Sequence, residues 1–237
     1  MVSMIGPWFE ELNYRFFGAL FRFLPPTPRA NRFCEFLISN PLLSTWIIAM
    51  VFYRFWIRED GETLERRVVL TRMLIALVVA VALSLLPRPW VHWPAPNSNP
   101  PYELMFPRYL RGTGTQNCFP SHSTLVYFTV ALGLWPIDRR WSTGLILLTL
   151  ACISLPRVYI GGHYAVDVVA SIFLSVVVLV FVSRARVVEK LARRLVTGYG
   201  KVAVGSWIFL LWTFELGEGF RGSELVGRAI GRFLTWP

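Results

Sequence analysis

The string RVYIGGHYAVD, residues 157–167, runs directly into VDVVASIFLSVVVLVFV, residues 166–182. The second string is apolar over nearly bilayer length, with one carboxylate at its mouth. Arg157, His163 and Asp167 therefore stand where the chain enters a membrane-length segment. Histidine is scarce in this protein, with only His92, His122 and His163. Asp167 follows His163 by four residues, so on a helix the two would share a face. The carboxylate would then hold one ring nitrogen and leave the other free to attack. Arg157 offers a planar cationic fork suited to phosphate. Taken alone, the three residues read equally as a helix cap and an ion pair, so the placement of the apolar runs carries weight.

The 237 residues are 54% hydrophobic and only 16% charged, which excludes an ordinary soluble domain. Apolar runs cover Pro41–Trp56, Val68–Leu86, Ser121–Trp135, Ser142–Leu155 and Val166–Val182, and Val202–Phe214 is a shorter candidate sixth span. Ser121–Trp135 and Ser142–Leu155 are short for full crossings, so they either extend further or are covered by neighbouring helices. Before them, Trp8, Phe9, Leu12, Phe16, Phe17, Leu20 and Phe21 follow helical spacing among Glu10, Glu11, Arg15 and Arg22. That pattern predicts an amphipathic helix in the interface, with a re-entrant or short spanning segment as the alternative. The expected fold is all-α: a polytopic membrane bundle of five to six transmembrane helices with an N-terminal interfacial helix. Its expected parts are an interfacial segment at 1–37, a catalytic bundle at 41–182 and a C-terminal segment at 183–237. The net charge of +10 fits anionic lipids better than nucleic acid, given the apolar content. Cys34, Cys118 and Cys152 show no metal-ligand spacing and read as small apolar fillers.

The connections after the first, third and fifth runs carry Arg58, Arg66, Arg67, Arg139, Arg140, Arg184, Arg186 and Lys190. The positive-inside rule makes that side cytoplasmic. Arg88, Ser121, His122, Arg157, His163 and Asp167 then all reach the opposite, extracytoplasmic face of the cell (inner or plasma) membrane. No motif was needed to place the runs, so this convergence is an independent argument for a site. The long connection from Pro87 to Pro120 also carries Trp90, Trp93, Tyr102, Phe106 and Tyr109. Interfacial anchoring explains these aromatics, and a lid over a lipid head group is a further role for so long a loop.

Arg88-Pro89, Pro120-Ser121-His122 and Arg157-x5-His163-x3-Asp167 resemble, in order and spacing, the three motifs of the type 2 phosphatidic acid phosphatase superfamily, which also contains vanadium haloperoxidases. The resemblance covers Val68 to Val182. It departs from the family twice. Val81 stands where the family has a lysine, for which Arg108 or Arg111 could substitute, although either also suits a lipid phosphate. His122 follows Ser121 directly, and Ser123 occupies the usual histidine position, a displacement of roughly 100° at a helix start. His92 is the fallback.

The resemblance implies a covalent phosphohistidine route. His163 attacks phosphorus, and Asp167 orients it. His122 protonates the leaving oxygen and then activates water. Arg88, Arg157, Ser121 and helix-start N–H groups would hold the phosphoryl oxygens. Ser121 also reads as an ordinary N-cap. No metal and no cofactor are expected. The implied substrate is a membrane lipid phosphate or diphosphate, with polyprenyl diphosphate favoured by the outward site. A lipid phosphotransferase using the same intermediate, or a non-catalytic membrane protein retaining the fold, are the alternatives. A transporter would need polar residues deep in the spans, which are nearly devoid of them. Nothing in the sequence fixes the oligomeric state.

Overall fold

A computed structural model describes residues 7–40, 46–86, 93–100, 102–113 and 117–198. The apolar runs form helices. α1 spans Pro7–Phe23, α2 Pro28–Ser39, α3 Ile47–Ile57, α4 Thr63–Leu85 and α5 His122–Gly133. α6, Arg139–Leu148, continues through a π-helical stretch at Thr149–Ser154 into α7, Leu155–Tyr159. α8 covers Ala165–Arg184 and α9 Arg186–Gly198. Among the described residues there is no strand, and the candidate span at 202–214 lies outside them.

Three helical segments are long and apolar enough to cross a membrane: Thr63–Leu85, Arg139–Tyr159 and Ala165–Arg184. These make the chain an integral membrane protein by length and composition. The expected count of five to six is therefore not established. α3 and α5 have only 11 and 12 residues. A 12-residue helix reaches about 18 Å, well short of a hydrocarbon core of about 30 Å. α5 can be this short because its neighbours shield it. Leu125, Val126, Tyr127, Phe128, Val130 and Ala131 are all buried along it. The Ser142–Leu155 run, in contrast, lengthens at its start, where Asp138 caps α6 by accepting from the Arg140 and Trp141 N–H groups.

α5 lies against α8 through small residues. Asp167, Ser171, Ser175, Val178 and Val182 form the buried face of α8. The Ser171 hydroxyl donates to the Ser121 carbonyl at 2.9 Å, and Thr129 Oγ1 donates to Ser175 Oγ at 2.9 Å. Side chains this short let the two backbones approach closely and satisfy their own polar groups across the gap. On the other side of α5, an ideal Cβ on Gly133 would fall 2.3 Å from Met73 Cγ, so α4 passes where only glycine fits.

Charged contacts gather at one end of the bundle. There Arg66, 7% exposed, donates to the Phe55 carbonyl at 2.9 Å and to both oxygens of Asp60. Arg67 donates to the Trp56 carbonyl at 3.0 Å. These two cations thus close the last turn of α3 as well as adding charge. Arg193 of α9 makes a forked pair with Glu65 at the same end, at 2.6 and 2.8 Å. At the other end Ser121 N–H donates to the Asp167 carbonyl at 3.3 Å.

The N-terminal segment differs from the single interfacial stretch expected. Pro25, Pro26 and Pro28 break it into α1 and α2, since proline cannot continue a helix but can start one. α1 keeps Leu12, Tyr14 and Phe23 exposed, as an amphipathic helix should, yet Phe17 is fully buried. Its ring sits 5.4 Å from Phe106 and 6.3 Å from Tyr164. α1 is therefore docked on the long connection and on the start of α8.

Replacing Gly133 by Val should lower the stability by about 1–3 kcal/mol, the usual cost of overpacking. The loss is read as a fall in the thermal unfolding midpoint in detergent. Adding Met73→Ala should recover part of it by vacating the clashing atoms.

Candidate active site

Asp167 is fully buried at the third residue of α8. Its Oδ2 accepts from the Tyr164 N–H at 2.9 Å, the return half of a capping box. The same oxygen accepts from the Cys118 thiol at 3.1 Å. His163 Nδ1 lies 3.4 Å from it, an ion-pair separation rather than a formed hydrogen bond. Burial, with the Asp167 carboxylate adding to it, pushes the Cys118 thiol far above its ordinary range, so it acts as a neutral donor. The positive end of the α8 dipole favours the carboxylate where it stands.

The pairing of His163 with Asp167 is thus as expected, but its cause is not. His163 precedes the helix, and Tyr164 is the N-cap with φ −79° and ψ 157°. The two residues meet because the chain turns into α8 and the N3 carboxylate reaches back, not because they share a helical face. With Nδ1 turned to the carboxylate, Nε2 is the nitrogen directed away from it. The His163 side chain is 16% exposed.

Ser121 and His122 arrive from α5. Ser121 occupies the N-cap position but makes no capping bond with its side chain. Its hydroxyl pairs with Thr124 Oγ1 at 3.0 Å, which pairs in turn with Ser154 Oγ at 2.9 Å on the π-helical stretch. The ordinary N-cap reading of Ser121 therefore fails, because the hydroxyl is committed inside the bundle. His122 is the first residue of α5, and its Nδ1 lies 3.4 Å from Ser84 Oγ on α4. The site end thus joins α4, α5 and α8 around two of the three histidines. His92 and Arg88 lie outside the described residues.

Arg157 follows the π-helical stretch, whose wide turns immediately precede Pro156, a residue with no N–H to give to the helix. Its guanidinium contacts the Ile153 carbonyl at 3.3 Å, and its own carbonyl accepts from the Gly162 N–H at 2.8 Å. The two candidate replacements for the missing lysine behave differently. Arg111 is spent on the loop, donating to the Phe106 carbonyl at 2.9 Å and the Leu104 carbonyl at 3.1 Å. Arg108 is exposed. Val81 packs against the apolar core, an environment hostile to an ammonium group.

The long connection covers this end. Tyr102 and Phe106 are each only 2% exposed, so interfacial anchoring does not describe them. Tyr109 does stay exposed, and Trp90 lies outside the described residues. Trp93 and Tyr102 meet the Tyr164 ring edge-on at 6.0 and 5.6 Å. Asn99 Nδ2 donates to the Tyr164 hydroxyl at 2.8 Å. The connection is pinned to the turn before His163, where the Asn97 N–H donates to the Gly161 carbonyl at 3.0 Å. Gly161 has φ +76°, and a Cβ there would lie 2.6 Å from the Phe106 ring and 2.8 Å from Asn97 Cβ. Gly161→Ala should therefore cost about 2–4 kcal/mol from strain plus overpacking, measurable as a lowered unfolding midpoint. The neighbouring Gly162→Ala, with only a 3.3 Å contact to the Arg157 carbonyl, should cost less.

Sequence reasoning missed Cys118, Tyr164 and Ser171 as supports of the pair. Cys118 stands three residues before Ser121, and that proximity was the available signal. Cys118, His163 and Asp167 also place three potential ligand atoms within 4.8 Å of one another, a grouping not expected from cysteine spacing.

Comparison with known proteins gives the family. The chain is 25% identical over 172 residues to a protein of Escherichia coli (strain K12) named "Putative undecaprenyl-diphosphatase YbjG". That match covers 71% of this chain and 79% of the other. No solved structure matches significantly. The PAP2 superfamily profile matches residues 68–190, from the start of the α4 apolar run through α8 and into α9. The protein therefore belongs to the PAP2 superfamily, the family its motifs resemble.

Proposed function

We propose that this protein is an integral membrane phosphatase that hydrolyses a lipid phosphate or diphosphate, a polyprenyl diphosphate foremost, through a phosphohistidine. The carrying observation is the His163–Asp167 pair, with Nδ1 directed at a buried carboxylate. A carboxylate so placed holds the proton on Nδ1 and leaves the Nε2 lone pair for in-line attack on phosphorus. It also stabilises the imidazolium character that grows as the P–N bond forms. Membership of a phosphatase family and a relative whose name carries undecaprenyl-diphosphatase support the reaction class and the lipid.

In this reading Arg157 and Arg88, with N–H groups at the start of α5, bind the phosphoryl oxygens, and the Ser121 hydroxyl joins them by giving up its bond to Thr124. Each donor that tightens in the transition state contributes roughly 3 kcal/mol. His122 protonates the leaving oxygen, then takes a proton from the water that splits the P–N bond. Its position at the first turn of α5, beside Ser84, supports this role despite the missing spacer residue. Chemistry with these residues needs no metal. The long connection keeps the reacting end covered while the lipid tail remains in the bilayer. The Arg-rich opposite end supports an extracytoplasmic site and attraction to anionic lipids.

The direct test is phosphate release from purified protein in detergent, in excess chelator, with a panel of lipid phosphates and no added acceptor. Release should occur. Failure with every lipid, or a strict need for a second lipid, defeats the hydrolase assignment. His163→Ala should abolish turnover in folded protein. Asp167→Asn should lower it by about a thousandfold or more, because the tautomer reverses.

His122→Ala should slow release of a lipid alkoxide far more than release of an activated aryl leaving group, since only the former needs a proton. Equal slowing of both, with His92→Ala discriminating instead, moves the acid to the long connection.

Orientation is open to single-cysteine labelling in intact cells with an impermeant reagent. A cysteine at the exposed Leu104, or at Asn117, should react and one at Arg139 or Arg193 should not, whereas Asn97 of the same connection is buried and gives no readout. The opposite pattern inverts the membrane orientation and removes the argument for an outward substrate.

A further inference from the structure

Cys118, His163 and Asp167 gather one sulfur, one imidazole nitrogen and one carboxylate around a single point. Cys118 Sγ is 3.1 Å and His163 Nδ1 3.4 Å from the same Asp167 Oδ2. Ligands bonded to one tetrahedral zinc at about 2.0–2.3 Å stand roughly 3.5 Å apart, so these atoms need only small movements to share an ion. A thiol hydrogen bond accounts for the Cys118 contact. It does not account for Asp167 Oδ1 or His163 Nδ1, both buried without a hydrogen-bond partner. Asp167 is fully buried and Cys118 is 2% exposed, so an ion here would sit in a low-dielectric pocket, reached past the partly exposed His163.

We propose that Cys118, His163 and Asp167 form an inhibitory binding site for a thiophilic divalent cation, Zn²⁺ above all. The set of one sulfur, one nitrogen and one oxygen suits zinc and leaves a fourth position for water. It does not suit Mg²⁺ or Ca²⁺, which require oxygen ligands. As the Zn–S bond forms, the thiol proton passes to solvent, Asp167 contributes an existing lone pair, and the His163 ring proton moves from Nδ1 to Nε2 to free the lone pair that binds the ion. Inhibition follows from the tautomer. A metal on Nδ1 forces the ring proton onto Nε2, and Nε2 then has no lone pair for attack. The ion thus silences the nucleophile without occupying the phosphate position. This consequence rests on the phosphatase reading, whereas the binding itself does not.

The test uses the full chain in detergent, stripped with chelator, desalted and titrated with Co²⁺ as a spectroscopic probe. About one equivalent should produce a sulfur-to-cobalt band in the near ultraviolet and the intense visible bands of a four-coordinate ion. Zn²⁺ should bleach both. Cys118→Ser should lose the near-ultraviolet band and bind at least about tenfold more weakly. The Cys34→Ser/Cys152→Ser double variant should keep it. In a parallel assay Zn²⁺ should suppress phosphate release, chelator should restore it, and Mg²⁺ should do nothing. Absence of the band from the wild-type chain overturns the site, and so does its loss in the double variant with retention in Cys118→Ser. The expected bands with Zn²⁺-insensitive turnover overturn the inhibition. The expected bands in a chain that releases no phosphate from any lipid leave the site standing and remove the phosphatase reading.

Discussion

A fully buried carboxylate is the constraint on which the site end depends. Asp167 stands in an apolar bundle, where a carboxylate buried without donors would cost several kcal/mol. The structure meets that need from three directions. The chain turning into α8 brings the Tyr164 N–H, the long connection brings the Cys118 thiol, and the preceding loop brings His163. The Asp167 carbonyl, meanwhile, receives the Ser121 N–H from α5. One residue therefore ties two helix starts and two loops, so positioning His163 and satisfying the buried carboxylate are the same event.

The rest of the bundle supports this junction by keeping α5 and α8 close. Ser171 and Ser175 recur at four-residue intervals after Asp167, and the Ser121 and Leu125 carbonyls and the Thr129 hydroxyl answer from α5. Larger side chains on either helix would separate the starts of α5 and α8 and pull Ser121 from Asp167. Gly133 allows α4 equally near on the far side, and α4 in turn carries Ser84 to His122. Polar groups inside a membrane bundle are costly unless they are paired, and here the short hydroxyls pair with backbone across the helix contacts.

Much of this was legible in the sequence, for identifiable reasons. Hydropathy located the helices because burial in lipid tolerates little else. Arg157, His163 and Asp167 were recognisable by residue type and spacing. What escaped was tertiary. The four-residue interval between His163 and Asp167 suggested a shared helical face, yet a capping turn joins them, and spacing alone cannot distinguish these. For α5 the sequence left two readings open, a longer helix or cover by neighbours, and the structure shows the second. Tyr102 and Phe106 looked like interfacial anchors because an aromatic buried under a distant helix leaves no local signature. Cys118 looked like filler because a thiol's partner lies far along the chain.

The burial of Phe17 bears on how the protein is made. Its ring seals against Phe106 and Tyr164, one in the middle of the chain and one at the start of the last described apolar helix. α1 leaves the ribosome well before either of its partners. It must therefore wait, amphipathic and unpaired, on a membrane surface or a chaperone while the intervening helices insert. The covered end is completed only once α8 is in place, so no earlier product of synthesis can carry an assembled reaction centre.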